Sequence, residues 1–173
     1  MKNICLLLIV LTLSSFACAQ KNDDTLFVAH WNVENLFDTM DDPKTSDEEF
    51  LPSGAKEWND ERLDKKIYNL SRVIRSMNND KGPDLLGVCE VEHQTLLDTM
   101  ITKYLSDKFY KTAYLESLDG RGIDNGIIYD SQKFSLLKVK GHRVDVGGEY
   151  DTRYILEGIF LFEKTDTIYF FVN

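Results

Sequence analysis

Apolar residues recur along this chain with two different periods, and the changes of period mark out its elements. Leu63, Ile67, Leu70, Ile74 and Met77 return at alternating spacings of four and three, which places one stripe along a helix. Asn59 stands where a cap is needed, with Trp58 and Leu63 at the two ends of a hydrophobic staple. The residues Asn78 to Pro83 end that helix. A second helix is predicted over Gln94 to Leu105, with Leu97, Ile101 and Leu105 on one face. The remaining apolar runs read as strands: Thr25 to Trp31, Asp84 to Val91, Tyr110 to Leu115, Gly126 to Tyr129, Phe134 to Val139, Arg143 to Val146, Arg153 to Phe162 and Thr167 to Val172. Strand, helix, strand, helix and then a run of strands predicts an α/β layered domain with helices packed outside a sheet. Asp38 to Pro52, dense in acid, reads as a solvated loop, and Lys65, Lys66, Arg72 and Arg75 as solvated helix charges.

The first residues follow another logic. Lys2 precedes an apolar run from Ile4 to Leu13, too short for a stable bilayer span, and Ala17 to Ala19 has the small residues of a cleavage site. Residues 1–19 are therefore expected to be an export signal, with residues 20–173 as the mature domain and no membrane span in it. Cys18 offers a second route, acylation as a lipoprotein, so the expected destinations are periplasm, outer surface or medium. The net charge is −9, and removing residues 1–19 takes away one lysine and no acid. That balance opposes nonspecific binding of nucleic acid through a broad basic face. Cys89 is the thiol left after residue 19, which excludes an internal disulfide in the mature domain.

Two polar residues stand out from apolar surroundings. Asn32 follows the first strand, where α/β folds place functional groups, and its amide suits a carboxylate or a phosphate oxygen. Glu90 sits in the run from Leu85 to Val91, where a carboxylate is costly unless paired, hydrogen-bonded or metal-bound. Near a strand's carboxyl end it suits Mg²⁺ or Mn²⁺, which prefer oxygen ligands. Strand alternation would turn Glu92 to the same face. Read from spacing alone, a solvent-reaching Glu90 is an equal alternative.

Three segments, in order, carry a resemblance: Trp31–Asp38 (WNVENLFD), Pro83–Glu92 (PDLLGVCEVE) and Arg121–Tyr129 (RGIDNGIIY). Together they resemble the endonuclease/exonuclease/phosphatase superfamily, from about Leu26 to Asn173. The resemblance implies a layered α/β sandwich of the deoxyribonuclease-I-like type, with its C-terminal part missing here. It implies that Asn32 and Glu90 are the catalytic and metal-binding pair and that the cofactor is Mg²⁺ or Mn²⁺. Arg121 and Asp124 fall in the family's substrate-side loop, and Arg153 where relatives often place an arginine on phosphate. Two other readings stand beside these roles: Asp124 as the cap of the next strand and Arg153 as a strand-edge ion pair.

Cys89 departs from the larger residue the family often has before its glutamate, and it is read as a small packed group. The pattern also expects a histidine directly after Asn173, and further Asp–Asn and Asp–His pairs beyond it. His30, His93 and His142 do not occupy those positions. The expectation is thus an exported metal-dependent phosphoesterase, nuclease or phosphatase, present as a truncated and inactive form. Its partner is a phosphate ester, either nucleic acid or a small phosphorylated molecule, and the protein is expected to be a monomer of marginal stability that aggregates. The competing expectation is a noncatalytic surface or ligand-binding protein on the same scaffold.

Overall fold

A computed structural model describes residues 25–147 and 151–173. The expected export signal and Cys18 lie outside the described residues. In chain order the elements are β1 (Val28–Leu36), a 3₁₀ turn (Glu48–Phe50), α1 (Asp60–Ser76), β2 (Leu85–Val91), α2 (Gln94–Tyr104), β3 (Tyr110–Tyr114), β4 (Asp124–Asp130), β5 (Phe134–His142), β6 (Ile155–Phe162) and β7 (Asp166–Val172). One sheet has the order β1-β2-β4-β3 and the other β5-β6-β7. β1 and β2 run parallel, joined through α1, and the other neighbouring strands are antiparallel. Helices on one side of a sheet and a second sheet on the other make the layered α/β sandwich that the resemblance implied.

The continuous apolar character of β2 has a plain cause: both its faces are covered. Leu86 and Val88 pack with Ile67, Leu70 and Ile74 of α1 and Leu97 and Met100 of α2. Leu85, with Ile127 and Tyr129 of β4, meets Phe134, Leu156, Phe160 and Val172 from the second sheet. Each such fully buried side chain contributes about 1.5–3 kcal/mol relative to exposure. Among the described residues no helix is long and apolar enough to cross a membrane.

α1 starts as its sequence requires, with the Asn59 side chain accepting from the Arg62 N–H at 3.1 Å. It stops at Met77, followed by left-handed Asn78, Asn79, Asp80 and Gly82.

Several sequence-based expectations need correction. β1 runs on to Leu36, so Asn32 lies within the strand, just before its pairing with β2 shifts register. The buried face of α2 is Leu96, Leu97 and Met100, with Ile101 only half-buried, because the helix packs against both α1 and β3. Arg143 to Val146 is not a strand: β5 continues to His142, where its ladder with β6 closes at Ile155. The acidic loop is not wholly solvated either. Asp47 is 1% exposed and accepts from the Asp42 N–H, and the Phe50 ring stacks on Phe37 at 4.2 Å.

Candidate active site

β1 and β2 lose their regular ladder at the same level. β1 pairs with β2 through Asn32↔Cys89 and next through Leu36↔Val91, so a bulge in β1 stands opposite Glu90. Glu34, Asn35 and Glu90 have left-handed backbones, with φ of 57°, 59° and 66°. A non-glycine residue in that region is uncommon and is held there by its surroundings. The irregularity brings one carboxylate and several donors together.

Asn32 Nδ2 donates to Glu90 Oε1 at 2.8 Å, and the Asn35 N–H donates to Glu90 Oε2 at 3.2 Å. Asn32 Oδ1 in turn accepts from the Glu34 N–H at 2.8 Å. Arg153, just before β6, brings Nη1 to 3.9 Å from Glu90 Oε1. That nitrogen is buried and has no hydrogen-bond partner among the described residues. A buried guanidinium N–H without an acceptor is costly, and a phosphate oxygen is the acceptor it fits best. Glu90 supplies two oxygens of the kind Mg²⁺ or Mn²⁺ prefers, so the donor set fits a hard divalent cation.

The other expected residues lie around this cluster. Arg121 forms a two-pronged pair with Asp119, at 2.9 Å and 2.6 Å. Asp119 Oδ2 also accepts from the Arg153 N–H at 3.2 Å, which ties the Arg121 loop to the Arg153 segment. Asp124 is directed elsewhere. Its carboxylate accepts from the Ser117 N–H and from Tyr114 Oη at 3.3 Å, and burial pushes it up to about 6. These bonds fasten the 116–123 loop to β4.

Glu92 does not share Glu90's environment. The left-handed turn at Glu90 breaks the pleat, and β2 ends at Val91. Glu92 is 2% exposed and accepts from the Asp38 N–H at 2.6 Å. Burial pushes it up to about 7. Asp38, Glu92 and His93 place ligand atoms within 4.8 Å of one another. Cys89 is 3% exposed and burial raises its thiol pKa, as suits a packed small group.

Three residues escaped the sequence reading. Lys66, expected in solvent, instead donates to the carbonyls of Glu34 and of Asn35, the latter at 3.1 Å. Arg75 is likewise no free charge, since it donates to Tyr104 O and to both oxygens of Asp107. Asn125, 2% exposed in β4, donates to Tyr154 O at 2.7 Å and Val172 O at 3.2 Å, while its Oδ1 stays unpartnered among the described residues. It joins the segment after Arg153 to the end of β7. A polar residue in the apolar run before Tyr129 was a signal of the same kind as Glu90.

Residues 27–173 match the profile of the Endonuclease/Exonuclease/phosphatase family. No curated protein sequence matches the chain. Among solved structures, a family protein from Bacteroides thetaiotaomicron is similar at a TM-score of 0.56 and 16% identity, covering 84% of this chain and 48% of its own. The mannosyl-6-phosphatase Bt3783 of Bacteroides thetaiotaomicron VPI-5482 gives a TM-score of 0.54 at 15% identity, covering 85% and 50%. ANGEL2, a 2′,3′-cyclic phosphatase, gives 0.50 at 13%, covering 83% and 39%. At such identities the likeness is one of fold. The chain spans half or less of the length of these structures.

Proposed function

The chain belongs to the endonuclease/exonuclease/phosphatase family, and from that premise we propose that the cluster of Asn32, Glu90 and Arg153 binds a phosphate ester for metal-dependent hydrolysis. One observation carries the reading: a carboxylate gripped by two amide donors faces a buried guanidinium nitrogen that has no acceptor among the described residues. Glu90 would hold Mg²⁺ or Mn²⁺, which polarises a phosphoryl oxygen and stabilises charge on the leaving oxygen. Asn32, the second expected ligand, holds the Glu90 carboxylate in place through Nδ2. Arg153 takes the phosphate oxygens. Arg121 stands on the adjoining loop for the rest of the substrate, and Asp124 keeps that loop attached.

A small phosphorylated molecule is the favoured substrate. The net charge of −9 opposes a polyanion, and one structural neighbour is named a mannosyl-6-phosphatase. Turnover by these 173 residues is expected to be slow. Among the described residues no histidine hydrogen-bonds to Asn32, Glu90 or Arg153: His93 meets Glu116 and His142 meets Glu157. Lack of a general base costs about 10²–10⁴ in rate. Export through residues 1–19 remains part of this proposal, and N-terminal sequencing of the mature protein tests it.

The function is tested by Mn²⁺ titration followed by electron paramagnetic resonance, with and without inorganic phosphate. Wild type is expected to bind the ion and Glu90→Ala to lose it. Equal binding by both removes Glu90 from the site, and rapid hydrolysis of DNA over sugar phosphates reverses the substrate preference.

A further inference from the structure

The bulge in β1 divides its backbone groups in two. Its N–H groups go inward: Glu34 donates to Asn32 Oδ1 and Asn35 to Glu90 Oε2. Its carbonyls go outward, and both accept from the single ammonium of Lys66 on α1. Val33 and Leu36, at 4% and 0% exposure, anchor the two ends of the bulge in the core. Between them stand two non-glycine left-handed residues, a conformation that L side chains resist. Among the described residues no strand partner holds these two peptides, because pairing with β2 is interrupted between Asn32 and Leu36.

We infer that Lys66 is a positioning residue of the site: it clamps the Glu34 and Asn35 carbonyls and so keeps the Asn32 and Asn35 donors aimed at Glu90. The setting supports this. The Lys66 ammonium lies 5.6 Å over the Trp58 ring, and Trp58 is itself fixed by its Nε1 donating to Phe37 O at 3.0 Å. Lys66 is half-buried, and burial lowers its pKa while Glu34 and Glu90 act to raise it. Without the ammonium, two carbonyls lose their donor and the bulge is free to return to right-handed backbone. The Asn35 N–H then turns away from Glu90. Lys65, the preceding residue, is exposed and serves as the control.

The inference rests on the proposed metal reading for its functional meaning, but its test begins without metal. In the metal-free protein, hydrogen exchange of the Asn35 amide is expected to accelerate at least tenfold in Lys66→Met, with Ile74 in α1 unchanged. Mn²⁺ affinity is expected to fall about tenfold. Lys66→Arg, which keeps two donors, restores most of both, and Lys65→Met changes neither. Lys66→Gln replaces the Met variant should that one not fold, with a smaller change in the same direction. Wild-type Asn35 exchange in a folded Lys66 variant lacking the ammonium overturns the inference. The two ideas fail separately. If Glu90→Ala keeps its Mn²⁺, the metal reading falls while the amide still reports on Lys66. If Glu90→Ala loses Mn²⁺ but Lys66→Met binds it normally, Lys66 belongs to the fold alone.

Discussion

Asn32 Nδ2 lies 2.8 Å from Glu90 Oε1, a hydrogen bond between neighbouring parallel strands at the level where both leave their ladder. The two residues are far apart in sequence, and their meeting depends on the crossover through α1. An amide that holds a ligand carboxylate typically changes metal affinity by about 10–100-fold. Asn32→Ala is therefore expected to weaken Mn²⁺ binding by about tenfold, less than the complete loss in Glu90→Ala, as read by calorimetric titration.

Arg153 offers a different readout. With Nη1 buried and lacking an acceptor among the described residues, Arg153 carries a cost that a bound phosphate would relieve. Arg153→Ala is expected to lower affinity for inorganic phosphate at least tenfold and to leave metal affinity within about threefold, since losing a charge-assisted bond costs about 1.5–3 kcal/mol. Arg153→Lys should not restore it, because an ammonium cannot present the planar fork. Phosphate affinity unchanged in Arg153→Ala would remove the residue from the site.

Asp124 sets a pH dependence of stability. Burial raises its folded pKa to about 6 from an ordinary 3.8. The folded protein then binds the proton more tightly than the unfolded chain does, so this contribution is fully present below about 4 and lost as pH rises through 6. The span is at most about 3 kcal/mol. Urea midpoints measured between pH 4 and 7 should decline, and Asp124→Asn should make the decline shallower, leaving the part that buried Glu92, raised to about 7, contributes with the same sign. A slope equal to wild type in that variant assigns the effect to other groups.

Gly82 tests the helix exit. Its φ is +84°, and a Cβ there would overlap Tyr110 Oη, which donates to Pro83 O at 3.0 Å inside the fold. Gly82→Ala combines backbone strain with overpacking and is expected to cost about 2–4 kcal/mol in denaturant unfolding.

The surface of the second sheet accounts for the expected aggregation. β7 is one of its two edges among the described residues, β5 being the other, and Tyr169 and Phe171 on β7 are 59% and 53% exposed. An exposed apolar edge strand is a template for pairing between chains. Tyr169→Lys with Phe171→Lys is expected to reduce light scattering on heating without lowering the midpoint of unfolding. Scattering that persists at wild-type level points to another surface.

The sequence by itself determined the elements whose residues repeat with a single period and whose ends carry local signals: α1 with its Asn59 cap, the doubly covered β2, and the cores of β5, β6 and β7, though not the further strand expected at Arg143 to Val146. It also determined which polar residues were out of place, since an Asn or Glu in an apolar run is costly wherever the run folds. Tertiary structure alone decided what those residues meet. The left-handed turns at Glu34, Asn35 and Glu90 have no glycine to announce them, because pairing between distant strands imposes them. Alternation along β2 mislaid Glu92 for that reason, and a helical wheel, which sets Lys66 on the flank of the apolar stripe and Lys65 opposite it, does not say what Lys66 meets. The ammonium of Lys66 is placed by two backbone carbonyls of another strand, and a backbone carbonyl leaves no trace in the identity of the residue that carries it.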